Sequence, residues 1–476
     1  MQTKKSPRDI TSGLTRRKFI NTAGTAAAFT ILPRYVMGGP GYTPPSEKLN
    51  VALVGAGGQG MRNLRNLLPE KDVHIVALSD TVDWADYSSS YHKVPGGRDP
   101  GLKRVREYYA SNDSTKDLPK CRAYTDFREM LDKEKAVDAV VVSTPDHTHY
   151  VASMHAIGLG QHVYVEKPMA RTIYEVRKMS QAAREAGLVT QLGHQGHGNE
   201  SLRITKEWIQ AGAIGKVHEV HAWSSNPNLK STDPPPVAGQ KVPRGLDWDL
   251  WLGPAKQRPY HSDYTPLGWR YFWDFGTSKI GDMGSHNMDP AFYALELGQP
   301  EWVEARCAWA EKSKRPLTAV VHYQFAARGK QPPVRLVWHE GTMPVRPDEL
   351  DPGTDLVGGG NGILFIGDKG KLMCPGWAGT PRLIPDARMK SFERPPETIQ
   401  RVNGIYRDWI DSIKQGRKAS SDWANYSGPF MESILAGVIA MRTGERCYMD
   451  WENLKVTNIP DAQSLIVPEY HNGWTL

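Results

Sequence analysis

The hydrophobic and polar positions from residue 49 to residue 80 predict a strand, a tight turn, a helix and a second strand. The apolar run Leu49–Val54 is typical of a buried strand and ends directly at a glycine-rich turn. Apolar side chains recur at helical spacing over residues 61–68, and residues 73–78 form a second buried run. This is the order of a βαβ unit, in which a helix joins two parallel strands.

The turn carries the spacing GxGxxG from Gly55 to Gly60. In this arrangement Gly55 allows the tight turn, Gly57 lets the backbone approach a pyrophosphate, and Gly60 lets the helix pack closely on the strand. Asp80 follows Gly60 by 20 residues, where a carboxylate accepts hydrogen bonds from an adenosine ribose and repels a 2′-phosphate. The pattern predicts a dinucleotide site that favours NAD over NADP. A glycine turn without a ligand would not explain why strand, helix and acid are all in register.

Two further predicted strands end in polar residues. Residues 137–142 lead into Ser143-Thr144-Pro145-Asp146-His147-Thr148-His149, and residues 162–165 lead into Glu166-Lys167-Pro168. Open α/β sheets place their ligand groups at the carboxyl ends of the strands. A lysine at the end of a buried strand contributes little to packing, so this position favours a functional site.

Four motifs occur in a fixed order between Leu49 and about Trp451: the glycine turn, Thr144-Pro145, Glu166-Lys167-Pro168, and Asp282-x-x-x-His286. In combination they resemble the Gfo/Idh/MocA family of NAD(P)-dependent oxidoreductases. The resemblance implies an α/β fold with an N-terminal Rossmann domain, a doubly wound parallel sheet, followed by a C-terminal α/β domain with a large, mostly antiparallel sheet. We expect the first domain over residues 47–195 and the substrate-binding and oligomerisation domain over residues 196–476. Relatives act on sugars and polyols, which implies a carbohydrate substrate and a homodimer or homotetramer.

The family pattern assigns the cofactor-binding residues by position. They are Gly55, Gly57, Gln59, Gly60, Asp80, Thr144, Pro145, His149, Glu166 and Lys167. The resemblance also implies a cis peptide bond between Lys167 and Pro168, an isomer that proline makes accessible. Lys167 would then lie near both the nicotinamide and the reacting hydroxyl.

The same resemblance makes Lys167, Asp282 and His286 the catalytic residues. Hydride leaves a carbinol carbon only as its hydroxyl proton is removed, so a base of near-neutral pKa must contact that oxygen. A desolvated lysine reaches such a pKa, whereas histidine starts there. We expect His286 to be the acid/base, with Lys167 polarising the oxygen and Asp282 orienting the pair. The opposite assignment of Lys167 as base remains open.

The sequence indicates the substrate-binding residues less clearly than the cofactor-binding residues. Gln195 and His197 lie in a histidine-rich segment where relatives more often carry an asparagine and an arginine, and loop hydrogen bonding explains them equally well. Arg270 and Trp273 belong to an aromatic-rich stretch whose rings could stack on a sugar or pack a core. All four are predicted substrate-binding residues.

The formal charge of +7 is concentrated at the N-terminus. Residues 1–37 hold seven basic side chains and one acidic side chain, so the remainder is nearly neutral and shows no basic run typical of nucleic-acid binding. Thr15-Arg16-Arg17-Lys18-Phe19-Ile20 precedes a short alanine-rich apolar segment and resembles a twin-arginine export signal. The segment is too short for a stable membrane span. We therefore expect a leader over residues 1–38, export by the twin-arginine machinery, and a periplasmic or otherwise exported protein.

The four cysteines are far apart and form no CxxC pair, so the sequence predicts no metal site. An exported enzyme has no access to a cytoplasmic NAD pool. We therefore expect a tightly bound nicotinamide cofactor that two substrates reduce and re-oxidise in turn, in an oxidoreductase acting on a hydroxyl or keto carbon of a sugar, polyol or glycoside. Two alternatives remain: an NAD-dependent glycosidase that works by transient oxidation and elimination, and a nucleotide- or sugar-binding protein without catalysis.

Overall fold

A six-stranded parallel sheet forms the first half of the fold. The computed structural model describes residues 47–90, 92–112, 120–233, 235–356 and 360–475, and the predicted leader with Arg16 and Arg17 lies outside them. The strands have the order β3-β2-β1-β4-β5-β6, and every neighbouring pair is parallel. Their bounds are Leu49–Val54 (β1), Val73–Ser79 (β2), Arg122–Tyr124 (β3), Ala139–Val142 (β4), His162–Glu166 (β5) and Thr190–Gly193 (β6). The predicted doubly wound Rossmann sheet is confirmed, and its order reverses between β1 and β4, where such sheets bind ligands.

Helices cover both faces of this sheet. Those that connect its strands are Gly58–Leu67 (α1), Arg98–Ala110 (α2), Phe127–Lys133 (α3), Asp146–Gly158 (α4) and Ile173–Glu185 (α5). The buried positions of α1 include Gly60, Leu64 and Leu67, which explains the helical spacing of its apolar residues. A reciprocal capping box between Thr172 and Glu175 fixes the start of α5.

The second sheet has nine strands in the described residues, in the order β13-β12-β11-β7-β10-β9-β8-β14-β15. Its strands are Val217–Ser224 (β7), Trp302–Ala308 (β8), Thr318–Phe325 (β9), Val334–Glu340 (β10), Asn361–Gly367 (β11), Gly370–Pro375 (β12), Arg382–Ile384 (β13), Cys447–Asp450 (β14) and Lys455–Val456 (β15). Among the described strands of this sheet only β7 and β10 pair in parallel, so the predicted mostly antiparallel sheet is confirmed. Burial alternates strictly along β9, as expected for a strand with one covered face.

The second half of the chain contributes the remaining helices. They are Glu200–Gln210 (α6), Trp248–Leu252 (α7), Ser285–Asn287 (α8), Asp289–Leu295 (α9), Asp386–Ser391 (α10), Ile405–Gln415 (α11), Gly428–Thr443 (α12) and Gln463–Ile466 (α13). Two π-helical turns occur as well, at Ile280–Gly284 and Trp423–Ser427. The first of them contains Asp282, and functional sites are a common location for such turns.

Helix α11 departs from the predicted division at residue 195/196. It belongs to the second half of the sequence, yet its Trp409 and Ile410 are buried in the cluster beneath β1 and β2. Arg407 on the same helix binds Asp72 beside β2 at 2.8 Å. Amphipathic spacing predicts that a helix covers a sheet but not which sheet, so the sequence could not assign α11. Residues 48–476 form one compact unit by their contacts, and the boundary between the two halves stays a prediction.

The described residues show the state of the cysteines and whether any helix could span a membrane. Cys121, Cys307, Cys374 and Cys447 are all present as free thiols, and burial raises the pKa of Cys374 to about 12. Within the described ranges, none of the helices combines the length and apolar character required to span a bilayer.

Candidate functional site

A cavity of about 440 Å³ lies at the carboxyl ends of β1, β4 and β5. Its wall combines the glycine turn, Asp80, Thr144, Pro145, Glu166, Lys167, Arg270 and Asp282. Residues separated by more than 220 positions in the chain therefore meet around one space. This is the switch point of the parallel sheet, where the topology predicts a ligand.

Two glycines of the turn are required by the backbone itself. Gly55 has φ of +89°, and a Cβ there would lie 2.7 Å from the carbonyl oxygen of Ser143. A Cβ at Gly60 would lie 1.9 Å from the carbonyl oxygen of Gly55, so α1 could not pack against β1 with any side chain at this position. These contacts explain why Gly55 and Gly60 are glycines, and their part in cofactor binding stays a prediction.

The third glycine has an unpredicted neighbour. A Cβ on Gly57 would lie 2.1 Å from the hydroxyl oxygen of Tyr87, and the ring of His92 lies close to Gly58. Burial, aided by the positive charge of Arg270, lowers the pKa of His92 to about 4, so this imidazole is neutral at neutral pH. Tyr87 and His92 come from the long polar segment after β2, in which the sequence analysis assigned no site residue beyond Asp80. They form part of the cavity wall beside the glycine turn.

Asp80 faces the turn, as predicted. Its Oδ2 accepts a hydrogen bond from the N–H of Ala56 at 2.8 Å, and its Oδ1 accepts one from the N–H of Val82 at 3.0 Å. Burial raises the pKa of this carboxyl, although these backbone donors and Arg98 oppose the shift. Each oxygen retains a second lone pair for a ribose hydroxyl, so the predicted role of Asp80 fits its position.

The turn after β4 carries a buried polar group that is available to a ligand. The Oγ1 of Thr144 is buried and has no hydrogen-bond partner among the described residues, although Thr144 lines the cavity. A buried hydroxyl without a partner is costly, and a polar group of a bound dinucleotide would satisfy it. His149, predicted to contact the cofactor, is instead buried beneath this turn. Its ring nitrogens lie 2.9 Å from the carbonyl oxygen of Thr144 and 2.7 Å from that of Pro168, so it joins the two loops behind the cavity.

Glu166 is held by a set of amide side chains. Its Oε1 accepts hydrogen bonds at 3.1 Å from Gln59, Asn63 and Gln195. Burial raises the pKa of Glu166, while the nearby Lys167 and these donors oppose the shift. Gln59 and Glu166 line the cavity as predicted cofactor-binding residues, whereas Gln195, predicted to bind substrate, is engaged behind it.

Lys167 and Asp282 meet in the cavity wall. The Nζ of Lys167 donates a hydrogen bond to the Oδ1 of Asp282, and the two side chains are 14% and 30% exposed. The bond between Lys167 and Pro168 is cis, as predicted. Burial alone would raise the pKa of Asp282, but the charges of Lys167 and Arg270 hold it well below its usual range. The site thus contains an ion pair that is accessible from the cavity, and the positive charge of Arg270 acts on it as well.

His286 lies near enough to Lys167 and Asp282 for their charges to act on it, and its predicted role as acid/base stays a prediction. It is buried, its ring centroid lies 5.8 Å from that of Trp377, and its Nδ1 has no hydrogen-bond partner in the described part of the chain. Asp282 lines the cavity but His286 is not part of its wall. The prediction assumed a regular α-helix, whereas Asp282 lies in a π-helical turn and His286 in the short helix α8. Burial and the charge of Lys167 lower the pKa of His286 well below its usual value.

Two predicted substrate residues also lie elsewhere, while a third is in place. His197 is buried in a cluster with His194 and Asp289. Trp273 lines a separate cavity of about 210 Å³, and its indole N–H donates to the carbonyl oxygen of Lys312. Arg270 does line the main cavity, and its guanidinium lies 4.2 Å above the ring of Trp269.

The cavity also holds a carboxyl group that the sequence reasoning passed over. Asp146 follows Thr144-Pro145 at the start of α4 and accepts a hydrogen bond from the Oγ1 of Thr277 at 2.8 Å. Burial raises the pKa of Asp146 to about 7, despite the opposing charges of Arg270 and Lys167. Its position directly after the end of β4 could have indicated a site residue. The carboxyl ends of β4 and β5 lie side by side in the sheet, and β5 leads directly into Lys167.

The family is shown by two regions of the sequence. Residues 49–194 match the oxidoreductase family with an NAD-binding Rossmann fold, and residues 221–324 match the C-terminal α/β domain of the same oxidoreductases. The chain belongs to the Gfo/Idh/MocA family of oxidoreductases. Its cofactor is NAD, and the unsatisfied Thr144 hydroxyl, the glycine turn and Asp80 are the residues that fit it.

Similar proteins support this assignment at low identity. Over 174 residues the chain is 30% identical to the 1-carboxy-3-chloro-3,4-dihydroxycyclohexa-1,5-diene dehydrogenase of Comamonas testosteroni, covering 37% of each chain. Over 177 residues it is 24% identical to the levoglucosan dehydrogenase of Pseudarthrobacter phenanthrenivorans, covering 36% of each. The aligned segments thus span little more than a third of these curated relatives. The WlbA dehydrogenase of Bordetella pertussis, solved with NADH and UDP-GlcNAcA, shares the fold with a TM-score of 0.57 at 18% identity, over 84% of this chain and 98% of that one.

Proposed function

We propose that this protein is an NAD-dependent oxidoreductase that transfers hydride to or from a CH–OH carbon of a sugar, polyol or glycoside. The observation that carries the proposal is the ion pair of Lys167 and Asp282 at the end of β5, in the same cavity as the glycine turn and the unsatisfied Thr144 hydroxyl. The dehydrogenases among the similar proteins act on polyhydroxylated compounds according to their names. A carbohydrate is therefore the substrate class we assign.

The bound nicotinamide supplies the hydride acceptor or donor, and the protein must handle the proton. We assign that proton to Lys167, because its Nζ lines the cavity and His286 is absent from the described cavity wall. Asp282 holds the ammonium in place and stabilises its charged form. Once the ammonium of Lys167 has released a proton to solvent, the neutral amine accepts the hydroxyl proton as the C–H bond breaks.

Substrate contacts come from the far wall of the cavity. Arg270 offers a fork of N–H donors suited to hydroxyl or carboxylate oxygens. Trp251 and Trp269 also line the space and provide flat apolar surfaces for the C–H faces of a sugar ring. We propose these three residues as the substrate-binding set, in place of Gln195, His197 and Trp273.

The cofactor preference follows from Asp80. Its carboxylate stands at the end of β2 with both oxygens directed at backbone N–H groups of the cavity. A 2′-phosphate beside this carboxylate would be repelled, so we propose that NAD is bound in preference to NADP. We also propose that the exported protein binds NAD tightly and that a second substrate regenerates the cofactor in each cycle.

A second candidate function is glycoside cleavage by transient oxidation. Oxidation of a ring hydroxyl to a ketone acidifies the neighbouring C–H, so a base can remove that proton while an acid protonates the departing aglycone oxygen. Water then adds to the unsaturated ketone, and return of the hydride to the carbonyl carbon gives the free sugar. The pKa of Asp146, raised to about 7 by burial, gives the cavity a second proton-transfer group besides Lys167. The raised pKa of Asp146 favours glycoside cleavage as the second candidate function. That reaction leaves the net redox state of NAD unchanged.

The experiment uses the full exported protein. It is purified without added nucleotide, its absorbance in the reduced-nicotinamide band is recorded, and a panel of sugars, polyols and glycosides is added one at a time. A change of absorbance with a free sugar or polyol supports the dehydrogenase, and release of free sugar from a glycoside selects the redox glycosidase. Silence with every compound, with and without added NAD, would refute catalysis and leave a binding protein.

Export and assembly are also part of the proposal. We propose that residues 1–38, with Arg16 and Arg17, direct the folded protein through the twin-arginine route to the periplasm. A homodimer or homotetramer is proposed as the assembled form, and light scattering of the purified protein measures it directly.

A further inference from the structure

A group of metal-ligating side chains lies outside the catalytic cavity. His194 directly precedes the short turn Gln195–Gly198 after β6, His197 lies within that turn, and Asp289 begins α9. The exposed fractions of the three side chains are 0%, 0% and 1%. One ligand atom from each lies within 4.8 Å of the others. No step of the proposed reaction uses these residues.

The carboxylate faces one nitrogen of each ring. The Nε2 of His194 lies 3.2 Å from the Oδ1 of Asp289, and the Nδ1 of His197 lies 3.1 Å from both oxygens of the same carboxylate. The hydroxyl of Tyr426 also donates to the Oδ1 of Asp289. Two imidazole nitrogens, a carboxylate and a phenol therefore converge on one buried point.

Backbone carbonyls face the other nitrogen of each ring. The Nε2 of His197 lies 3.1 Å from the carbonyl oxygen of Ser420. The Nδ1 of His194 lies 3.3 Å from the carbonyl oxygen of Leu192 and 3.5 Å from the hydroxyl of Ser421. Metal-bound histidines almost always donate their second N–H to a carbonyl or carboxylate in this way, which fixes the ring and presents the opposite nitrogen to the ion.

Counting donors points to a cation in the cluster. A neutral imidazole has one N–H, yet each nitrogen of His197 faces an oxygen that can only accept. If its proton lies on Nε2 and is donated to Ser420, the lone pair of Nδ1 confronts the carboxylate of Asp289. His194 can avoid this conflict, because its Nε2–H can donate to Asp289 while its Nδ1 accepts from the hydroxyl of Ser421. Either one added proton on His197 or a single divalent ion between the near nitrogens and the carboxylate resolves the conflict, and three buried ligand atoms within 4.8 Å of one another favour the ion.

We propose that His194, His197 and Asp289 bind one divalent first-row transition metal ion, with zinc as the probe. Ligand atoms at zinc bond lengths in a tetrahedron lie about 3.3 Å apart, close to the nitrogen-to-oxygen separations found here. Nitrogen and oxygen donors of this kind suit such an ion. The sequence predicted no metal site because Asp289 is 92 residues from His197 and no cysteine is involved.

The ion would have a structural role. Its ligands join the turn Gln195–Gly198 after β6 to α9, and Tyr426 links both to the π-helical turn Trp423–Ser427. These segments belong to both halves of the sequence. Because a ligand that binds only the folded state stabilises it, loss of the ion should lower the unfolding temperature.

The test is elemental analysis of the untagged, full-length protein after dialysis against a metal-free buffer. The proposal expects about one transition-metal ion per chain, and the same stoichiometry when metal-depleted protein is titrated with zinc. His197→Ala and Asp289→Asn should lose this ion, whereas His218→Ala, at an exposed histidine, should retain it. Metal-free wild-type protein that binds no zinc on titration would overturn the proposal.

A second measurement needs no variant, in case the substitutions prevent folding. Cobalt is added to metal-depleted wild-type protein and the visible spectrum is recorded. A stoichiometric d–d absorption band that added zinc abolishes, together with a higher unfolding temperature in zinc than in chelator, supports the buried site. No band and an unfolding temperature that is the same in zinc and chelator would show that protons alone satisfy the cluster.

Discussion

Replacing Lys167 by methionine should separate the two roles of its ammonium, proton transfer and compensation of Asp282. Methionine keeps most of the volume but removes the charge, so Asp282 is left in the cavity wall without its ion-pair partner. Breaking a buried pair costs roughly 3–5 kcal/mol. Since Asp282 is 30% exposed, we expect a smaller loss of folding free energy, about 2–4 kcal/mol.

The double variant Lys167→Met/Asp282→Asn makes this reasoning testable without a substrate. It removes both charges, so stability should return to within about 1 kcal/mol of the wild type. Catalysis should stay low, because loss of a proton-transfer group costs about 10²–10⁴-fold in rate. Lys133→Met is the matched control, since its partner Glu129 forms an exposed pair worth less than about 0.5 kcal/mol.

The assay is denaturant unfolding at several pH values. In the wild type the pKa of Asp282 is held below its ordinary value of 3.8, so its contribution to stability is present above that pH and fades only in strong acid. In Lys167→Met the pKa of Asp282 should rise relative to the wild type, because burial is then opposed by Arg270 without Lys167. The destabilisation should therefore be largest at pH 8 and shrink as the carboxyl is protonated. Additive single-variant effects, or a destabilisation independent of pH, would refute the coupling.

Three further predictions address other parts of the molecule. Gly60→Ala should impair folding rather than NAD affinity alone, because its Cβ would lie 1.9 Å from the carbonyl oxygen of Gly55; circular dichroism and expression yield measure this, and a stable, folded Gly60→Ala protein would contradict it. Asp146→Asn should raise the unfolding temperature at pH 8 but not at pH 4. A carboxyl whose folded-state pKa is raised to about 7 costs stability that grows as the pH rises above its unfolded-state pKa and is complete above about pH 7; an equal effect at both pH values would count against this. Arg16→Lys/Arg17→Lys should retain the protein in the cytoplasm, as cell fractionation would show, and unchanged export would exclude the twin-arginine signal.

The fold could be predicted because its elements have strong local signals. The buried runs of β1 and β2, the glycine turn and the helical spacing of α1 each agree with the parallel sheet, so several levels of pattern point the same way. Lys167 and Asp282 were found through motif order, and the structure does bring them together. The sheet of the second half followed from the family resemblance more than from its short polar strands.

The parts that could not be predicted depend on long-range contacts. Nothing in the polar segment after β2 indicates that Tyr87 packs on Gly57, because that contact depends on how a loop returns to the sheet. His286 was placed by a spacing rule for α-helices that a π-helical turn does not obey. His197 was taken for a substrate residue because its partner Asp289 lies far along the chain.

The central claim is that NAD lies along the glycine turn with its nicotinamide beside Lys167, and a crystal structure of the protein with NAD tests it most directly. The account predicts Asp80 bound to the adenosine ribose, a cofactor contact to the Thr144 hydroxyl, and nicotinamide C4 facing the Nζ of Lys167 across a space that also reaches Arg270. Electron density for the nicotinamide away from Lys167, or a Tyr87 ring that stays on Gly57 and leaves NAD outside the turn, would contradict it.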